Sequence, residues 1–121
     1  NEPQAKTPAN MVAQAQRLLT MGPQAVLMKG GHATEDICTD VLITARGVIG
    51  TFEAPRINTQ NTHGTGCTYS AAIAAQLAHG QDLHDAVATA HRYLQGAINA
   101  ADSLHIGKGH GPVHHFHGCW T

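Results

Sequence analysis

The residues of this chain best arranged for chemistry are Asn61-Thr62-His63-Gly64-Thr65-Gly66-Cys67-Thr68, which close a polar run and lead directly into Ser70-Ala71-Ala72-Ile73-Ala74-Ala75. Gly64 and Gly66, one residue apart, let the backbone pass through conformations that a side chain forbids, so several N–H groups can point at one spot. A helix starting there adds its unpaired N–H groups and the positive end of its dipole. Phosphate, or the charge developing on a transferring phosphoryl group, suits such a place. Cys67 at its mouth then sits where a thiolate is electrostatically favoured. The competing reading is an ordinary glycine-containing helix entry, and the polar run Asn58-Thr59-Gln60-Asn61-Thr62-His63 ahead of it weighs toward the functional one. The segment is neither a Walker loop nor a dinucleotide fingerprint, since no Gly-Lys-Ser/Thr follows and no third glycine is correctly placed.

Two further groups of residues have chemical potential. Lys29 follows the apolar run Ala25-Val26-Leu27-Met28 and precedes Gly30-Gly31-His32. It either reaches a phosphate or is a solvated strand-end lysine. His110, His114, His115, His117 and Cys119 are the densest set of possible metal ligands. Zinc accepts such groups, but their spacing fits no standard ligand pairing, so packing and hydrogen bonding take precedence over a structural metal. No metal ligand is assigned. Cys38, Cys67 and Cys119 are odd in number and widely spaced, which speaks for reduced thiols rather than a disulfide framework.

The elements that must position these residues follow from pattern. Thr7-Pro8 is a helix start, a capping hydroxyl followed by proline, with Met11, Ala15, Leu18 and Leu19 at helical spacing and a stop at Met21-Gly22-Pro23. Ala25–Met28 reads as a buried parallel strand ending in a glycine loop. Asp40–Thr44 and Val48–Glu53 flank Ala45-Arg46-Gly47 as a β-hairpin. The next helix is expected from about Thr65 to His79, closed by Gly80. Asp82 caps another, with Val87, Ala90, Leu94, Ala97, Ile98 and Ala101 as its apolar stripe. The Gly- and His-rich tail from His105 onward is expected to be irregular.

The 121 residues fit one domain with no repeat or dividing linker, and their formal charge of -1 gives no polyanion-binding surface. No apolar run approaches the ~20 residues of a membrane span, and the first residues are no signal peptide, which points to a cytoplasmic protein. Aromatic residues are scarce, so Ala, Val, Leu and Ile must build most of the core. A buried parallel strand at 25–28 needs neighbours that this chain does not offer, so the chain reads as the C-terminal part of a larger α/β protein.

Ala25–His32, Phe52-Glu53-Ala54-Pro55-Arg56-Ile57, Asn61–Thr68 and Gly109-His110-Gly111-Pro112-Val113-His114-His115-Phe116 together span nearly the whole chain. In these segments the chain strongly resembles the C-terminal half of the hydroxymethylpyrimidine/phosphomethylpyrimidine kinases of thiamine biosynthesis, within the ribokinase-like superfamily. The Gly-Thr-Gly-Cys turn preceded by Asn-Thr-His is the specific part; most ribokinase-like sugar kinases carry an aspartate at the position of Cys67. The resemblance implies an α/β fold, the C-terminal portion of a three-layer ribokinase-like architecture, with residues 1–121 as its nucleotide-binding half and the N-terminal half absent. It implies ATP and Mg2+ as cofactors and phosphorylation of 4-amino-5-hydroxymethyl-2-methylpyrimidine, then of its monophosphate.

In that scheme Gly64, Thr65, Gly66 and Cys67 offer N–H groups to the γ-phosphoryl oxygens, Thr62 adds a hydroxyl, Lys29 adds a positive charge, and Cys67 takes the general-base position. Where the family leads one to expect a phosphate-contacting lysine, this chain has Ala90-His91-Arg92-Tyr93-Leu94. His91 or Arg92 either substitutes for it or is a solvated helix residue. The implied partners are a small-molecule pyrimidine and the N-terminal half of the same enzyme, with no nucleic acid or membrane and a homodimer of the full-length protein. The isolated chain is expected to be inactive. Two alternatives stand beside this reading: a pyridoxal kinase of the same superfamily, and a non-enzymatic His/Cys metal-binding module centred on the tail.

Overall fold

A computed structural model of the chain describes residues 2–30 and 36–120. They form two compact units, Asn1–Arg56 and Ile57–Thr121, and no linker composition marks the division.

In the first unit, α1 (Pro8–Leu19) begins where the sequence places it. The Thr7 side chain accepts the Asn10 N–H at 3.2 Å, and Pro8 occupies a first-turn position where its missing N–H costs nothing. Three strands, β1 (Ala25–Met28), β2 (Ile37–Thr44) and β3 (Gly47–Pro55), form an antiparallel sheet in that order. The expected hairpin is β2–β3, with Asp40 opposite Phe52 and an irregularity between Leu42 and Ile43. Met11 and Ala15 of α1 pack with Val41 and Ile43 of β2 to form this unit's core, joined by Val26 and Met28.

β1 departs from expectation. It runs antiparallel to β2, with Val26 opposite Ile43, and all four of its residues are only half-buried. A parallel pairing needs a crossover of a dozen or more residues, and only residues 29–36 separate the two strands. An apolar run signals burial; the connection length sets the direction. The glycine turn expected after Lys29 continues through Gly31 and His32, which lie outside the described residues.

The second unit holds α2 (Thr65–Ala78), α3 (Leu83–Asn99) and a short 3-10 helix, Ala101–Ser103. Asp82 caps α3 by accepting the Asp85 N–H at 2.9 Å, and Val87, Ala90, Leu94 and Ala97 are buried as their spacing predicts. Gly80, at φ 89°, ends α2, donating to Leu77 O while Gln81 N–H reaches Gln76 O. α2 itself is apolar almost all round, yet only Thr68 and Tyr69 are buried along it. The tail is largely irregular as expected, although an isolated parallel bridge joins His63 to Pro112, and Val113 and His114 are buried. No helix among the described residues is long and apolar enough to cross a membrane.

Candidate functional site

α2 starts at Gly64, whose left-handed backbone (φ 85°, ψ 5°) makes the sharp entry that glycine permits. Whereas Thr7 and Asp82 cap α1 and α3 with side chains, Gly64 caps α2 with none, and the first turn carries no acidic residue. Thr65 uses both of its donors inside the turn, its N–H reaching Thr62 O at 3.3 Å and its hydroxyl the same oxygen at 2.6 Å. Thr68 N–H makes the first helical bond, to Gly64 O at 2.8 Å. Between these two, the N–H groups of Gly66 and Cys67 have no partner among the described residues. They add to a positive dipole end that no side chain neutralises. Thr62, Gly66 and Cys67 are exposed, and Cys67 is a free thiol. Of the sequence-predicted site residues, Thr62, Gly64, Thr65, Gly66 and Cys67 thus meet at one helix end. Thr65 supplies structure to the turn rather than a free N–H.

This turn is held by residues that local spacing did not reveal. Asn61 Oδ1 accepts the Gly111 N–H at 3.0 Å, while its Nδ2 donates to Asp102 Oδ1 at 2.9 Å. The Thr59 hydroxyl also donates to that carboxylate oxygen, and the Asn61 N–H donates to Thr59 Oγ1 at 3.1 Å. His63 donates to Gly111 O and accepts from Val113 N–H. Thr68 Oγ1 and His115 Nε2 share a hydrogen bond at 2.9 Å, and Tyr93 OH donates to His115 O at 2.7 Å. Asn61 and Gly111 are 50 positions apart, and Thr68 and His115 are 47 apart, so no periodicity could have linked them. The resemblance, carried in part by Asn61–Thr68 and Gly109–Phe116, was the signal that could have pointed to Asn61, Gly111 and His115.

Beside the turn, Cys67 and Thr68 of α2, Thr89 and Tyr93 of α3, and His115 border a groove of about 610 Å³ floored by alanines. His91 of α3 has its ring 6.2 Å from that of Tyr69, and Arg92 donates to Thr89 Oγ1 at 3.4 Å. Lys29 lies in the first unit, exposed after β1, where it borders a separate cavity of about 220 Å³ with Thr7, Gln14 and Thr39.

The tail histidines have other partners than a metal. His110 Nδ1 meets Gln60 O at 3.2 Å, His117 Nδ1 meets His114 O at 3.1 Å, and His114 stands edge-on to Trp120. Among the described residues, no three His, Cys, Asp or Glu side chains are grouped to hold a metal ion. The metal-module alternative therefore finds no ligand set. Cys38, Cys67 and Cys119 are all free.

Comparison with known proteins gives this geometry a family. The phosphomethylpyrimidine kinase family profile matches residues 1–114. The hydroxymethylpyrimidine/phosphomethylpyrimidine kinase of Salmonella typhimurium is 50% identical over 118 residues, 98% of this chain and 44% of that protein. Its Escherichia coli counterpart is 49% identical over the same shares. The chain thus spans less than half the length of these relatives. Among solved structures, the Staphylococcus aureus pyridoxal kinase in complex with AMP-PCP and pyridoxal superposes with a TM-score of 0.88 at 26% identity, covering 96% of this chain and 42% of that one. An ADP complex of Bacillus subtilis pyridoxal kinase gives 0.86 at 30% identity, over 94% and 42%. The fold is accordingly a portion of the ribokinase-like α/β architecture, with a three-stranded antiparallel sheet and flanking helices. By sequence, this chain belongs to the phosphomethylpyrimidine kinase family.

Proposed function

We propose that the chain is the nucleotide-binding, C-terminal half of a kinase that transfers the γ-phosphoryl group of ATP to the hydroxymethyl group of 4-amino-5-hydroxymethyl-2-methylpyrimidine, and then phosphorylates the resulting monophosphate. The observation that carries this reading is the open end of α2. Two adjacent N–H groups there lack partners among the described residues, beside a glycine in the left-handed region and an exposed thiol. Phosphoryl transfer proceeds through a loose transition state, so catalysis consists mostly of positioning and charge stabilisation. Gly66 and Cys67 donate their N–H groups to the γ-phosphoryl oxygens, and the uncapped dipole favours the charge gathered there. Gly64 shapes the entry so that both donors face outward, and Thr65 ties that entry to Thr62. Cys67 Sγ, as the thiolate, accepts the proton of the attacking hydroxyl while the hydroxyl oxygen bonds to the γ-phosphorus and ADP leaves. Thr62 offers its hydroxyl to the phosphates or their magnesium shell. Mg2+ commonly arrives on the substrate phosphates with several of its waters retained, which fits a site whose donors are hydroxyls and N–H groups rather than a carboxylate cage.

The residues that the relatives carry beyond this chain supply the remaining substrate pocket and cover α2, whose exposed Leu77 and alanine surface would otherwise face water. The chain by itself is inactive in this reading. A second reading, pyridoxal phosphorylation, is favoured by the likeness to the two pyridoxal kinases; the higher sequence identity to the pyrimidine kinases ranks it second. Steady-state phosphorylation of both substrates by the full-length polypeptide decides. A higher kcat/KM for the hydroxymethylpyrimidine is expected, and a clear preference for pyridoxal would replace the first reading with the second.

A further inference from the structure

We propose that His115 is a positioning residue for the phosphate-binding turn, holding the first turn of α2 through its hydrogen bond to Thr68 so that the Gly66 and Cys67 donors are fixed before reaction; this rests on the kinase reading above. Thr68 directly follows Cys67, is 8% exposed, and makes the first helical bond of α2. Its hydroxyl is bonded to His115 Nε2 at 2.9 Å. His115 is itself anchored on both sides. Its carbonyl accepts from Tyr93 OH at 2.7 Å, and the neighbouring His114 N–H donates to Ala97 O at 2.9 Å, both partners belonging to α3. The chain of restraint runs from α3 through the tail to the first turn of α2.

That turn needs an external restraint. A helix start is ordinarily held by a capping side chain, and Gly64 supplies none. Glycine is also the residue with most conformational freedom to lose. Donors aimed at a developing charge stabilise it without reorganisation only if they are already in place, and small displacements of a catalytic group are costly in rate. The His115 imidazole therefore acts on kcat through Thr68.

The test uses the full-length kinase with His115→Ala, Thr68→Val, their combination, and His115→Gln, whose amide reaches the position of Nε2. Each of the first two variants is expected to lower kcat about tenfold while KM for ATP changes less than about threefold. The double variant should lose no more than either single one, because both remove the same bond. His115→Gln should stay within about threefold of the parent. Hydrogen exchange of the residue 65–69 amides should quicken in His115→Ala and Thr68→Val but not in His115→Gln, with folding checked by the unfolding midpoint. A parental kcat in His115→Ala, or losses that multiply in the double variant, would overturn the proposal. If the parent phosphorylates neither substrate, the kinase reading fails and the catalytic part of this proposal with it. The exchange comparison would still decide the restraint itself, and unchanged exchange would overturn it.

Discussion

Gly111→Ala is the substitution whose consequence the structure defines most closely. A Cβ built on Gly111 would lie 2.2 Å from Asn61 Oδ1 and 2.9 Å from Asn61 Cγ. Neither distance is sustainable, so the carboxamide must leave its place. Leaving breaks the bond from Gly111 N–H at 3.0 Å and the bond to Asp102 at 2.9 Å. A neutral hydrogen bond contributes about 1 kcal/mol and one to a carboxylate about 1.5–3 kcal/mol, so the loss is about 2–3 kcal/mol after partial relaxation. For a chain of this size that corresponds to a fall in Tm of about 8–12 °C. The assay is thermal unfolding of Gly111→Ala, Asn61→Ala and the double variant. Asn61→Ala removes the obstructing atoms and leaves its own Cβ at 3.5 Å, an ordinary contact. In that background Gly111→Ala should cost less than about 0.5 kcal/mol, giving a coupling of about 2 kcal/mol. A single variant melting within 2 °C of the parent, or full additivity of the two, would show that the Asn61 network does not hold the turn.

Three other substitutions probe separate parts of the argument. Gly64→Ala meets nothing closer than Thr68 Oγ1 at 3.9 Å, so its cost is the left-handed backbone alone, about 1–2 kcal/mol; thermal unfolding should show a fall of about 4–8 °C, and an unchanged midpoint would argue against the φ assigned to this residue. Cys67→Ser keeps the backbone N–H and should leave MgATP affinity, read by calorimetry on the full-length protein, within about twofold while slowing turnover at least tenfold; unimpaired turnover would remove the thiol from proton transfer. Asp82→Ala deletes the α3 cap at Asp85 N–H and should cost about 1 kcal/mol in denaturant unfolding, with parental stability counting against the cap.

How far these features could be read from the sequence depended on the range of the interaction. The caps at Thr7 and Asp82 act over three residues, and the stripe Val87, Ala90, Leu94 and Ala97 repeats every three or four, so α1 and α3 were legible. The Gly64-Thr65-Gly66-Cys67 turn was legible for the same reason, since a glycine pair before an alanine run is a local signal. β1 was legible as a strand but not in its direction, because four apolar residues state that they avoid water and not which neighbour they pair with. In the histidine-rich tail, packing and hydrogen bonding took precedence over a metal in the sequence, and Gln60 O, Thr68 and Trp120 are the partners that the fold supplies. Asn61, Asp102, Gly111 and His115 were not assigned to the site, since their contacts span 40 or more positions.

That division separates two kinds of residue around one turn. Gly66 and Cys67 carry the donors and the thiol, and changes there should appear in chemistry with little loss of stability, because their N–H groups hold no other group among the described residues. Asn61, Asp102 and Gly111 carry no reacting group, so changes there should appear first in stability and reach the chemistry only through displacement of Thr62 and Gly64. Thr68 stands between the two classes, buried and bonded to the tail yet adjacent to Cys67. A substitution at Thr68 is therefore where stability and turnover should separate most informatively. Thr68→Ser retains the hydroxyl for His115 and loses one buried methyl, at about 1 kcal/mol, so it should lower Tm while sparing kcat, whereas Thr68→Val removes the bond to His115, at about 1 kcal/mol, and should lower both.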